Sequence, residues 1–140
     1  MPGIYTTEYN NCFCLDMGVT DDAGYYHIEK NNNAGASHLS HKGDIKVFPM
    51  DNFQISHYLK RCDFIKLDIE GFEFKALMGA TDIIRKFHPK LLIEINKGTL
   101  ERQSNTPEEI FGFLKRYNYS FRNIYEEQLM EGEQYDIICY

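Results

Sequence analysis

Along the chain, apolar residues gather in short bursts separated by turn formers, and the period of the bursts changes from one segment to the next. Residues 12–19, CFCLDMGV, form one apolar run that predicts a buried strand. DDAG then turns the chain into a second strand, YYHIEK, so the two predict a hairpin. The stretch 31–44, NNNAGASHLSHKGD, has almost nothing to bury and reads as a long exposed loop. IKVFPM returns to extended structure, and Pro49 favours an edge or strand-end position there. NFQISHYLKR, 52–61, predicts a short helix with Phe53, Ile55, Tyr58 and Leu59 partly on one face.

In DFIKLDI, 63–69, alternation puts Ile65, Leu67 and Ile69 on one side of a strand and Phe64, Lys66 and Asp68 on the other. Phe74, Leu77, Ile84 and Phe87, with the small Ala80 between, recur at helical spacing and predict one helix from Phe72 to Phe87. Glu73 at its start and Arg85 and Lys86 at its end suit the helix dipole, and Pro89 stops it. KLLIEI, 90–95, reads as a strand of branched residues. NTPEEIFGFLKRY, 105–117, opens with a capping box of Thr106, Pro107 and Glu109, and Ile110, Phe111, Leu114 and Tyr117 give its buried stripe. YSFRNIY and YDIICY predict a closing antiparallel hairpin.

Strand, helix, strand across 63–96 is a βαβ unit, whose two strands run parallel and end at one edge of a sheet. Asp68 and Glu70 close the first strand and Glu94 and Asn96 the second, so four polar groups are expected to converge where open α/β sheets bind ligands. The plainer alternative has Asp68 and Glu70 ending a strand and capping the next helix. Lys66, in a strand expected to be covered on both faces, calls for an acidic partner, either Glu94 or Asp68. Gly71 either lets the chain turn or lets a ligand approach the backbone, and Gly79 predicts close packing of helix on sheet.

Composition narrows the classes. A chain of 140 residues, 43% hydrophobic and 14% aromatic, predicts a single globular domain over 1–140. The net charge of −6 and the short, interrupted basic clusters argue against nucleic acid as a partner. The longest apolar runs fall far below the roughly 20 residues of a membrane span, and the first residues carry no leader pattern, so a soluble cytoplasmic protein without membrane partners is expected. Cys12, Cys14, Cys62 and Cys139 have no paired metal-ligand spacing and read as reduced, mostly buried thiols. His38 and His41 lie near metal-ligand spacing, but with Gly and Ser around them and no matching ligand group nearby they read as loop residues, and no metal site is expected.

DFIKLDIEGFEFKALMGA, followed by HPKLLIEI, resembles the FkbM family of AdoMet-dependent methyltransferases. The family signature runs Ile-Lys-x-Asp-x-Glu-Gly-x-Glu, then Leu-x-Gly-Ala, then a proline and a strand ending in Glu. The chain matches it at Ile65, Lys66, Asp68, Glu70, Gly71, Glu73, Leu77, Gly79, Ala80, Pro89 and Glu94. Upstream, GVTDDAGYYHI, NAGAS and VFPMDNF resemble the segment after the family's third strand, its Asn-x-Gly-x-Ser loop and the stretch ending in an Asp before the signature.

The resemblance implies a partial Rossmann-like class I methyltransferase sheet, mostly parallel with a C-terminal antiparallel hairpin. It implies an enzyme that moves a methyl group from S-adenosyl-L-methionine (AdoMet) to a hydroxyl of a small molecule or glycan. Carried over by position, Asp68 and Glu70 are the candidate catalytic residues at the acceptor side, and Gly18 and Val19 the candidate contacts to the cofactor's adenine. The family's glycine-rich first strand and the acidic end of its second have no counterpart here, so the cofactor site is expected to be incomplete in this chain. The chain accordingly reads as the C-terminal part of a methyltransferase, a fragment or an inactive relative, whose sheet closes up, stays split or is completed by another chain or a second copy. Two further readings stand beside it: a non-catalytic interaction module, and a metal-dependent transferase using Asp68 and Glu70.

Overall fold

The computed structural model describes residues 4–6, 11–29, 38–41, 43–52, 59–125 and 130–140. In chain order the strands are β1 (Ile4–Thr6), β2 (Phe13–Leu15), β3 (Gly18–Val19), β4 (Gly24–Glu29), β5 (His38–His41), β6 (Ile45–Phe48), β7 (Phe64–Leu67), β8 (Lys90–Asn96), β9 (Phe121–Asn123) and β10 (Gln134–Cys139). Among the described residues the helices are α1 (Glu73–Met78), α2 (Thr81–Phe87), α3 (Lys97–Arg102) and α4 (Pro107–Arg116), with a 3-10 turn at Met50–Asn52.

The strands form a β1–β2 ribbon and two four-stranded sheets, ordered β3-β6-β4-β5 and β7-β8-β10-β9. The expected mostly parallel sheet is corrected here. Among the described residues only β3 with β6 and β7 with β8 run parallel, and the other pairs are antiparallel. Too few residues separate β4 from β5 for the crossover that parallel neighbours require. The C-terminal hairpin, correctly expected, then supplies β10 and β9 to the second sheet, leaving it a single parallel pair. The sheet has stayed split.

The apolar run at 12–19 is not one strand. It bends after Leu15, and the two pieces enter different sheets, so β3 and β4 are separated by β6 rather than paired as a hairpin. Cys12, just before β2, and Cys14 within it are exposed, against the expectation of buried thiols, because among the described residues β2 pairs with β1 alone, in a two-stranded ribbon. Cys139 is buried and Cys62 half-buried, both as free thiols. His38 and His41 lie in β5, paired with Glu29 and Tyr26, rather than in a loop. Pro49 does follow a strand, but β6 lies in the middle of its sheet. The expected helix at 52–61 and the NAGAS segment fall outside the described residues, apart from the helix's two ends.

The principal core lies on one face of the β7-β8-β10-β9 sheet. Leu67, Leu91, Ile93, Ile95, Ile137 and Cys139 meet Leu77, Ile84, Leu100, Ile110 and Leu114 there. The alternate residues of β8, Leu92, Glu94 and Asn96, are only half-buried, and Lys66 is exposed. The sheet therefore buries one face, not both, and this frees Lys66 from the burial its sequence context suggested.

The helix expected from Phe72 to Phe87 breaks at Gly79 and Ala80. In an unbroken helix the Asp82 and Ile83 amides would bond the Met78 and Gly79 carbonyls. Instead both donate to the Asp51 carboxylate, at 2.7 and 3.0 Å, while the Gly79 carbonyl accepts the Asp51 amide at 2.8 Å. The Thr81 hydroxyl takes the Met78 carbonyl at 2.8 Å. Gly79 does mark a close approach, but to the backbone of Thr20 and Pro49, where a Cβ would collide. Tyr26 meets Phe72 edge to face at 5.7 Å, and Val19 packs against the principal core, so the first sheet is joined to the second through α1 and α2.

Candidate functional site

β7 ends at Leu67, and the next residues make a tight turn: Phe72 N donates to Ile69 O at 3.4 Å. Its two central residues both have positive φ, +56° at Glu70 and +103° at Gly71, the pattern of a type I′ turn. Glycine adopts that backbone without strain; glutamate does not. At Gly71 a Cβ would also strike the Thr99 carbonyl of α3, so close approach of the backbone, rather than turning alone, requires a glycine there.

Glu73, at the first position of α1, is 1% exposed. One of its oxygens, Oε1, accepts the amides of Ile69 at 2.9 Å and Gly71 at 3.3 Å. The other, Oε2, is buried with no hydrogen-bond partner among the described residues. Burial pushes the Glu73 carboxyl up from its ordinary value and nearby Glu70 adds to the rise, against the amides of Ile69, Glu73 itself and Gly71. The dipole argument foresaw an acid here but not a buried one that holds the turn.

Asp68 lies just past β7 and accepts a hydrogen bond from Lys66 Nζ at 2.9 Å. The pair is exposed, with side chains 58% and 45% accessible, so its role is to orient rather than to stabilise. The Lys66 ammonium is raised first by that hydrogen bond and the Asp68 charge, then by Asp136 and Glu94. Of its two expected partners, Lys66 bonds Asp68.

Glu94, in register opposite Asp136 of β10, accepts from Gln134 Nε2 at 2.6 Å. Partial burial raises its carboxyl, and the charges of Asp68, Glu70 and Glu73 raise it further, while Gln134 opposes them. Asp68 and Glu70 follow β7, Glu73 opens α1, and Glu94 lies in the parallel neighbour β8 with Asp136 opposite it, so the ends of these elements form an acidic edge. Asn96 is drawn away: its side chain accepts the Thr99 amide at 3.2 Å and caps α3. Asp136 was not singled out in the sequence, because its place depends on β10 inserting between β8 and β9. Among the described residues no group of three His, Cys, Asp or Glu could hold a metal ion.

Gly18 and Val19 form β3, and their backbones pair with Val47 and Phe48. Val19 packs against the principal core, and Thr20 after it is fully buried, its amide on Phe48 O at 3.2 Å and its hydroxyl on Asp21 at 2.9 Å. These groups are engaged in packing and pairing within the first sheet.

No helix among the described residues is long and apolar enough to cross a membrane. The search of curated proteins gave no match. Among solved structures, the crystal structure of methyltransferase FkbM from Methylobacillus flagellatus KT aligns with a TM-score of 0.50 and 19% identity, over 89% of this chain and 27% of that one. The chain thus spans little more than a quarter of that protein's length, and the likeness speaks for the fold. The model of the methyltransferase FkbM domain matches residues 5–121, a span that includes the turn, its buried glutamate and the β7–β8 pair. With most of its length matched in this way, the chain belongs to the FkbM family of methyltransferase domains.

Proposed function

We propose that this chain carries the acceptor side of an AdoMet-dependent O-methyltransferase acting on a small-molecule or glycan hydroxyl. The observation that carries the reading is the acidic edge after β7, where Asp68 precedes a strained turn and Glu70 stands within it, inside the family-matched segment. AdoMet supplies the methyl group in this reading; the carboxylates supply orientation and a proton acceptor. One carboxylate would take the hydroxyl proton and the other would hold the oxygen in line, while the methyl carbon exchanges its bond to the sulfonium sulfur, which leaves as the neutral thioether, for one to the hydroxyl oxygen. Lys66 fixes Asp68 from one side, which suits Asp68 to the orienting role and leaves Glu70 as the base.

The test is methyl transfer from labelled AdoMet to a panel of sugar and small-molecule hydroxyls by the wild-type chain and by Glu70→Gln and Asp68→Asn. Glu70→Gln is expected to lower the rate about 10²- to 10⁴-fold, the usual contribution of a positioned base. Asp68→Asn is expected to lower it less. Undiminished transfer in both variants would sink the reading, and AdoMet binding with no transfer to any hydroxyl of the panel would refute the acceptor class.

A further inference from the structure

Glu73 stands at the acidic edge without facing solvent, and nothing in an acceptor-side mechanism needs a buried carboxyl there. Its geometry shows another use. Oε1 holds two amides, and they belong to Ile69 and Gly71, the residues on either side of Glu70. Between them the backbone of Glu70 sits at φ +56°, a conformation a glutamate does not keep unaided. On the other side the Thr99 carbonyl of α3 leaves Gly71 no room for a Cβ.

We propose that Glu73 is the positioning residue of this edge: its Oε1 clamps the backbone on both sides of Glu70, fixes the strained turn and so sets where the Glu70 carboxylate stands. The inference rests on the acceptor-side reading only for its functional meaning; the clamp is a property of the chain alone. Burial keeps water from competing for the two amides, which is why a single oxygen suffices. The buried Oε2 has no hydrogen-bond partner among the described residues, so an amide in place of the carboxyl preserves the clamp as long as its carbonyl oxygen faces the turn. The charged group that opposes ionisation of Glu73 is Glu70 on the turn, and Glu73 in turn raises Glu94 on β8.

The experiment is amide hydrogen exchange, corrected for intrinsic rates and measured without cofactor, on wild type, Glu73→Gln and Glu73→Leu. The leucine fills the space but cannot accept. Glu73→Leu is expected to lose about tenfold protection at Ile69 and Gly71, the equivalent of one hydrogen bond, while β8 amides keep theirs. Glu73→Gln is expected to restore both. Retained protection in Glu73→Leu, or a loss shared equally by β8, overturns the clamp. Should the leucine variant fail to fold, wild type decides by NMR: the Ile69 and Gly71 amide proton shifts must follow the Glu73 carboxyl carbon with one midpoint. Different midpoints overturn the proposal. Undiminished methyl transfer in Glu70→Gln and Asp68→Asn would undo the functional reading and leave these outcomes untouched.

Discussion

At the scale of single residues, the turn after β7 concentrates two kinds of stress, a positive φ on Glu70 and a buried carboxyl on Glu73, within four positions. Gly71→Ala adds a Cβ both where φ is +103° and where the Thr99 carbonyl already sits. It is expected to destabilise by about 2 kcal/mol or more, read as a lower midpoint in urea with an unchanged slope. Glu73 makes stability depend on pH in a definite direction. Its carboxyl is raised in the folded chain, so above the ordinary unfolded value of about 4.3 the folded state still holds a proton that the unfolded chain has released. Stability from this group is full below that value, falls as pH rises through the folded one, and is flat beyond. Glu94, raised for the same first reason, contributes in the same sense. Glu73→Gln removes only the first share, so the variant should gain on wild type in unfolding free energy as pH climbs from 4 to neutrality. A gap that stays constant with pH would refute the assignment.

At the scale of elements, legibility followed how local the determining contact was. The capping box at Thr106 and Glu109 was readable because its partners are three residues apart, and the structure has both bonds, Thr106 N to Glu109 at 2.8 Å and Glu109 N to Thr106 at 3.4 Å. The βαβ pair and the C-terminal hairpin were readable from alternation and connection length. The break between α1 and α2 was not, because Asp51 makes it from 31 residues away, and the apolar spacing of Leu77, Ala80 and Ile84 runs through it unchanged. The same holds for the site. Asp68, Glu70 and Glu94 were visible as strand-end acids, whereas the burial of Glu73 and the arrival of Asp136 depend on packing and strand order. Asp51 offers the test at this scale. Neither Ala80 nor any side chain of α2 caps that helix, so Asp51→Ala strands two amides and is expected to cost about 1 to 2 kcal/mol. Asp51→Asn, keeping one acceptor, should cost less, and equal losses in the two variants would mean the carboxylate is not the cap.

At the scale of the whole molecule, the two four-stranded sheets differ in how they are held. The β7-β8-β10-β9 sheet has the principal core beneath it, while the buried side chains of the β3-β6-β4-β5 side, Tyr26 and Val47, cluster with Phe72 from the turn before α1. What joins them is therefore the neighbourhood of α1 and α2: Tyr26 on Phe72, Asp51 on the start of α2, and Gly79 against Thr20 and Pro49. Gly79 is the point in that seam with no room to adjust, since the atoms its Cβ would meet are backbone. Gly79→Ala should therefore push the seam open rather than disturb the core, where Ala76, Leu77 and Ile84 remain packed. The expected readout is uneven: in hydrogen exchange, amides of β3, β4 and β6 lose protection by about tenfold or more, the equivalent of 1.4 kcal/mol, while those of β8 and β10 hold. Because the acidic edge is built on β7 and β8, an acceptor-side function should survive this substitution far better than it survives Gly71→Ala. If both variants lose protection uniformly, the seam is not a separable joint, and the first sheet is as much a part of the site's support as the second.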